Sequence, residues 1–451
     1  MSIPNPGDPL PHSTDSPAAL AAWDALLGAY ARFGTHLPVA LADLFVVAPE
    51  LPMAHCARGY LMLLGGKREL VAHAQAASDW LRAAPMLTPW ESLHGNALRY
   101  WLRGDATAAA ATWETILDTW PGDFLALRLA QFAHFYAGDA QRMRDCTDRA
   151  AVLWDPTSPL HGFVLGAQAF GHEECGDYAR AEALGREAVQ RNPDDAWAVH
   201  AVAHCMEMQG RAGEGVAWLD AWFSDGRTCN LQNHLRWHRA LMQIELGNGA
   251  AALADYDAGQ YGSGIEYLDV CNDTSLLLRL ELAGLNPLDS TAATARWSEL
   301  AARAHVRADD GLMSFCDMHY VLALGAAGDG EAVAALLQRL QARSWSGSSD
   351  GKVLATIGVA LASALAAWRT GQPDITVDRL WEQRREIVRI GGSHAQRELF
   401  ELVLMDAARR SGRTVELRSM LAERLGRQPG SARRQQALAA HLQAQGPATT
   451  H

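Results

Sequence analysis

The sequence predicts an all-α fold: an α-solenoid, a right-handed superhelix of about ten helix pairs. Three observations predict it. Ala, Leu, Arg and Glu dominate nearly every window, and β-branched runs alternating at period two are almost absent. Apolar residues recur three and four apart, as Ala181, Leu184 and Ala188 do in ARAEALGREAVQRN. Glycines that close one amphipathic run and precede another recur at near-constant spacing.

Those glycines are Gly65, Gly104, Gly138, Gly176, Gly210, Gly247, Gly284, Gly328, Gly371 and Gly412, at intervals of 39, 34, 38, 34, 37, 37, 44, 43 and 41. The period lies near that of tetratricopeptide repeats, about 34. In AFGHEECGDYARAEALGREAVQRNPDDAW, Gly176 ends a first helix and Tyr178 opens a second. Ala181 and Ala188 are small where helices cross, and Pro193 stops the second helix. The Gly104 unit matches it, with Pro121 again 17 residues on (121 − 104 and 193 − 176). Each such unit buries its apolar face only against its neighbours. Residues 17–442 therefore read as one superhelix, in place of the two or three domains that 451 residues would otherwise suggest. Residues 1–16 and 443–451 read as flexible tails, and RSWSGSSDGK (343–352) as a loop inside the array.

Composition narrows the function. At 49% apolar and 20% charged the chain is globular. With 39 basic and 51 acidic residues its net charge is −12, which argues against a nucleic-acid partner. Seven scattered cysteines without a CxxC exclude a disulfide framework or zinc ribbon, and the expected location is a reducing cytoplasm. The N-terminus lacks the basic region of a signal peptide. No run of about 18 uncharged apolar residues occurs, so no segment is expected to cross a membrane.

The histidines carry the strongest functional signal. His55, His94 and His200 lie ten residues before Gly65, Gly104 and Gly210; His238 and His319 lie nine before Gly247 and Gly328. First helices line the concave face of such repeats, so these positions predict a row across an inner groove. His200 and His204 are one helical turn apart, and so are His234 and His238, one 34-residue repeat later (234 − 200). Glu207 joins the face of His204. Imidazoles at this spacing chelate a divalent transition metal, or shuttle protons beside a carboxylate. Asp269, Asn272 and Asp317 add polar groups to later first helices, and Trp197, Trp237 and Tyr267 can wall the site. Ser393 and Gln396 spell a capping box. With Gly391, Gly392, His394 and Arg397 they form a helix start suited to an anion.

Three readings follow. In the first, a His- and carboxylate-lined groove binds a small polar molecule or peptide end. His200, His204, Glu207 and His238 would then do acid/base work, hydrolytic or proton-transfer. His55, His94, His234, Asp269, Asp317, His319, Ser393, Gln396 and Arg397 would hold the ligand. In the second, the array is a non-catalytic scaffold docking a partner peptide. In the third, His200, His204, His234 and His238 ligate a metal. The cofactor is thus either unknown or a divalent transition metal, and a homo-oligomer stays open. Other motifs fail on context. GSSDG lacks the preceding strand of a nucleophile elbow, GSGIEY lacks a third glycine, and GGKREL lacks the upstream glycine of a P-loop. Cys205 reads as a buried structural thiol.

The stretches SLHGNALRYWLRGD, FYAGDAQRMRD, NPDDAWAVHAVAHCMEM, NHLRWHRAL, LDVCNDTSLLLRL and IVRIGGSHAQRELF run in order through most of the chain. In them the chain resembles the tetratricopeptide repeat protein 38 family. The resemblance implies a helical-repeat superhelix. It marks His55, His94, His200, His204, Glu207, His234, His238, Asp269, Asp317, His319, Ser393, Gln396 and Arg397 as positions matching the family pattern. Position 394 is often Asn in that pattern. The resemblance implies no particular reaction.

Overall fold

The computed structural model describes residues 9–259 and 266–444, and among them every regular element is a helix. Helices α1 (Pro17–Ala31) and α2 (Leu37–Val47) precede the repeats. The first five pairs are α3 (Pro52–Leu64) with α4 (Arg68–Ala83), α5 (Pro89–Leu102) with α6 (Ala106–Thr119), α7 (Phe124–Tyr136) with α8 (Ala140–Val152), α9 (His161–Glu174) with α10 (Tyr178–Arg191), and α11 (Ala196–Met208) with α12 (Ala212–Ser224). The next three are α13 (Gln232–Glu245) with α14 (Gly249–Gly259), α15 (Tyr267–Leu282) with α16 (Ser290–Ala308), and α17 (Ser314–Ala326) with α18 (Gly330–Arg343). In the ninth, α19 (Ser349–Val353), a π-turn (Leu354–Gly358) and α20 (Val359–Arg369) run on as one helix, paired with α21 (Pro373–Leu380). A 3-10 helix (Arg384–Ile390) leads to α22 (His394–Arg410), α23 (Thr414–Arg427) and a last helix, α24 (Ala432–Ala444).

The glycine spacing therefore marks real turns. Gly104, Gly138, Gly176, Gly210, Gly247, Gly284, Gly328, Gly371 and Gly412 all have positive φ, which glycine adopts without steric cost. The first turn is displaced by one residue: Gly66 takes the positive φ, while Gly65 stays right-handed. The expected loop at 343–352 is also shorter than its composition suggests. Arg343 still belongs to α18, and Ser348 caps a helix beginning at Ser349 by accepting from the Gly351 amide.

The array turns back on itself, so its interior is no open trough. The turns of the early pairs become the seats of later ones. Arg307 donates to the Gly66 carbonyl at 2.9 Å and Lys67 pairs with Glu266 at 2.6 Å. The Ser349 amide bonds the Gly104 carbonyl at 2.9 Å, and the His394 amide bonds Glu174 at 3.0 Å. Beyond them the Gln428 amide side chain reaches the Glu207 carbonyl, and Ser431 reaches Glu245.

Two further expectations change. Residues 1–8 and 445–451 of the expected tails lie outside the described residues. Residues 9–16 dock on the array: Ser13 donates its amide and hydroxyl to Glu91 at 2.9 Å, and His12 sits edge-on to Trp23 and Trp90. Ser349–Arg369 is, by length and composition, apolar enough to cross a membrane. Here Leu354, Ile357, Leu361, Ala362 and Leu365 are fully buried within the hydrophobic core, which explains the apolarity without a bilayer.

Candidate metal centre

The centre is built from two first helices and their neighbours. On α11 the sequence HAVAH places His200 and His204 on one face; on α13 HLRWH does the same for His234 and His238. The two faces meet. His200 Nε2 lies 3.0 Å from His204 Nε2 and 3.1 Å from His234 Nε2, and His234 Nε2 lies 3.3 Å from His238 Nε2. All four rings are buried, and their ligand atoms fall within 4.8 Å of one another.

The outward nitrogens decide what the inward ones carry. His238 Nδ1 faces Glu207 Oε2 at 2.8 Å, His234 Nδ1 faces Asn272 Oδ1 at 3.2 Å, and His204 Nδ1 faces Glu173 Oε2 at 3.5 Å. The Glu207 and Asn272 oxygens accept, so the Nδ1 atoms of His238 and His234 carry their hydrogens, while His204 Nδ1 only faces the Glu173 carboxylate. A neutral ring with hydrogen on Nδ1 presents a bare lone pair at Nε2. Two such lone pairs, on His234 and His238, meet, and between them no hydrogen is left to bridge the gap. Burial, reinforced by charge on His204, pushes His234 down to about 3. His200 and His238 lie well below the ordinary range, by burial first and by charge on neighbouring rings second. These rings are neutral at pH 7. His204 differs: burial opposes its charge, but Glu173 beside it raises its proton affinity, and burial raises that of Glu173 as well. One proton is thus held within that pair.

An aromatic jacket excludes water. The Trp237 ring stacks on His234 at 5.2 Å, the Trp197 ring lies 4.9 Å from His200, and Phe170 touches both His200 and His204. Tyr267 does not join this wall; its hydroxyl is 3.1 Å from that of Tyr136.

The remaining predicted residues do not converge here, which corrects the expectation of one histidine row along an open groove. His55 donates to the Pro49 carbonyl at 2.8 Å and stacks on Trp80 at 3.6 Å. His94 donates from Nε2 to Asp123 at 2.8 Å, and Trp90 donates to the same oxygen at 2.6 Å. His319 donates from Nδ1 to the Phe315 carbonyl at 2.9 Å, and burial pushes it down to about 4. Asp317 pairs with Arg343 at 2.6 Å, and Asp269 accepts from Asn233 at 3.1 Å. Each polar group is consumed by a local partner, as buried polar groups require. Ser393 and Gln396 form the expected capping box. The anion at that helix start is internal: Glu174 accepts from the His394 amide, with Arg397 at 3.6 Å. Gly391 is needed for close approach, since a Cβ there would sit 2.6 Å from the Tyr136 carbonyl oxygen. Cys205 is fully buried, and burial pushes its thiol up, away from nucleophilic use.

Glu173 is the site residue that sequence reasoning passed over. A signal for it exists: Glu173 precedes Gly176 by three, as Glu207 precedes Gly210 by three, one repeat of 34 apart (207 − 173). Gln428 had none, because it arrives from the far end of the chain.

The paired helices and glycine turns define the class: a tetratricopeptide-like α-solenoid with a histidine cluster at its heart. No family model matches the chain. Among solved structures it is similar to a monomeric mutant of IFIT1 with Gppp-AAAA, at 12% identity and a TM-score of 0.42, covering 96% of this chain and 93% of that one. It is also similar to the TPR domain of P58(IPK), at 11% identity and a TM-score of 0.23, covering 81% of this chain and 100% of that one.

Proposed function

We propose that this chain is a metal-binding helical-repeat protein, holding one divalent first-row ion, zinc by geometry, on His200, His204, His234 and His238. The observation that carries the reading is the convergence of four Nε2 atoms, with the Nδ1 atoms of His234 and His238 donating to Asn272 and Glu207 and that of His204 facing Glu173. Tetrahedral zinc with Zn–N of about 2.0–2.1 Å sets its nitrogens about 3.3–3.4 Å apart. The observed contacts of 3.0, 3.1 and 3.3 Å need only slight expansion to fit. Neutral imidazoles suit zinc, copper and nickel alike, and Nδ1–H donation to a carboxylate or amide oxygen is the usual support of a metal-bound imidazole. Four protein ligands leave no open position, so the ion serves structure, tying α11 to α13. Acid/base catalysis by the same residues finds less support, because all four rings are sealed from solvent.

The solenoid supports a binding scaffold as the setting of this centre. Membership in the tetratricopeptide repeat protein 38 family, a cytoplasmic location and a short-peptide partner remain part of the proposal. The test is metal analysis of protein purified without chelator and dialysed against zinc. About one zinc per chain is expected, falling below a tenth in a His234→Ala, His238→Ala double variant that keeps its helical circular dichroism. Wild-type protein that retains less than a tenth of an equivalent of zinc and of every other first-row metal overturns the reading.

A further inference from the structure

The turn after α1 breaks a rule that the rest of the molecule keeps. Its geometry is a Schellman cap: the Phe33 amide bonds the Tyr30 carbonyl at 3.1 Å, and the Gly34 amide bonds the Ala29 carbonyl at 2.9 Å. The residue at the centre of such a cap is left-handed. Nine first helices of the array place glycine there. Here it is Phe33, with φ +52°, the one non-glycine residue of positive φ among the described residues. A bulky side chain in that conformation is strained, so its ring must gain something that glycine cannot supply.

The ring lies over the metal centre's aromatic wall. It stacks on Trp197 at 5.7 Å with planes 16° apart, and Trp197 in turn covers His200 at 4.9 Å. Arg128, buried beneath, faces Phe33, Phe132 and Trp197 at 5.8, 4.7 and 4.7 Å from their ring centres. Few bonds hold the turn down: Asn230 donates its amide to the Phe33 carbonyl at 2.7 Å and its side chain to the Gly34 carbonyl at 3.1 Å, and Arg32 pairs with Asp194 at 2.7 Å. Thr35 and His36, next along, are exposed. Near Glu207 the surroundings are bonded more heavily, with Glu398 of α22 paired to Arg279, Arg424 and Arg434. Beneath Trp197, His200 Nδ1 is buried with no hydrogen-bond partner, so the ring's only polar contacts are those of Nε2 with His204 and His234.

We propose that the Phe33 turn is the gate of the metal centre: it lifts from Trp197 to let an ion reach or leave the four histidines, and its strained backbone favours that opening. The proposal rests on the reading of the cluster as a metal site. Glycine at position 33 would relieve the strain yet remove the plug, so its effect separates gating from stability.

The test is zinc transfer from the full chain to a chromogenic chelator, comparing wild type with Phe33→Gly and with Asn230→Ala, which loosens the turn but keeps the ring. Both variants are expected to start with one zinc per chain and to release it at least tenfold faster than wild type, with unfolding midpoints too little changed to explain the difference. A parallel measurement on metal-free protein follows deuterium exchange at the His200 ring carbon by mass spectrometry, which is expected to speed up in both variants. Zinc release and His200 exchange that stay at wild-type rates in both variants overturn the gate while leaving the metal centre standing. A wild type that binds no zinc, with faster His200 exchange in the variants, overturns the metal reading and retains the gate as an access route to the cluster.

Discussion

His238 and Glu207 face each other across two helices: the Nδ1 of one lies 2.8 Å from the Oε2 of the other. Glu207 is held by burial at about 7, against the pull of His204 and Arg279. The contact fixes which His238 nitrogen carries hydrogen, and so leaves Nε2 free to ligate. Glu207→Gln keeps the shape and removes the charge. Zinc affinity is expected to fall by about 10–100-fold, with stoichiometry restored at excess zinc. Competition against a chelator of known affinity measures it; unchanged affinity would show that Glu207 merely fills space.

His55 tests the cluster against the row. It shares its repeat position with His200 but stacks on Trp80 and bonds the Pro49 carbonyl. His55→Ala is expected to leave zinc content at wild type and to lower stability by about 1–3 kcal/mol, the cost of a lost hydrogen bond and of the lost packing of a buried ring on Trp80. Metal analysis and urea unfolding on one preparation give both numbers. Zinc loss on this change would restore the continuous groove.

Two glycines of equal backbone geometry separate conformation from packing. Gly176, φ +83°, has open space where a Cβ would go; at Gly138, φ +69°, a Cβ would collide with the Val388 carbonyl. Gly176→Ala is expected to cost about 1–2 kcal/mol. Gly138→Ala should cost clearly more and make the 384–391 segment sensitive to trypsin, because that segment must move. Equal unfolding midpoints for the two variants would contradict the close docking.

Asp123 supplies the acid response. Burial alone would raise its pKa, but charge and hydrogen bonding from His94, the Ala126 amide and Trp90 outweigh it, and the net shift is downward. A depressed carboxylate contributes stability that is complete above its unfolded value of about 3.9 and is lost as pH falls through the lower folded value. Asp123→Ala is expected to cost about 3–5 kcal/mol at pH 7, since it strands His94 and Trp90. The gap between variant and wild type should narrow below about pH 4. Thermal unfolding across pH 2–7 checks the direction; a gap that widens in acid would reverse the assignment.

Much of the fold was legible because it is local. Asp105, Asp123, Asp139 and Asp177 cap their helices through their own side chains, and glycine ends the first helices, all within a few residues of chain. The metal cluster was half legible for the same reason. Two HxxxH pairs one repeat apart must share a face and must be neighbours once the helices stack. Burial was not legible, since an exposed groove and a sealed core use the same periodicity. His55 and His94 carry the register of His200, and His319 that of His238, but their partners, Pro49, Asp123 and Phe315, are particular to each site.

By itself the sequence determined the repeat, the turns and the pairing of His200 with His204 and of His234 with His238, because helical period and glycine backbone freedom act over a few residues. Only the tertiary structure decided that these pairs face inward behind Trp197, that Glu173 and Asn272 orient them, and that Gln428 reaches Glu207 from more than two hundred residues away (428 − 207). Those contacts depend on how far each repeat rotates against the last. That rotation accumulates over the whole array and is written in no single repeat.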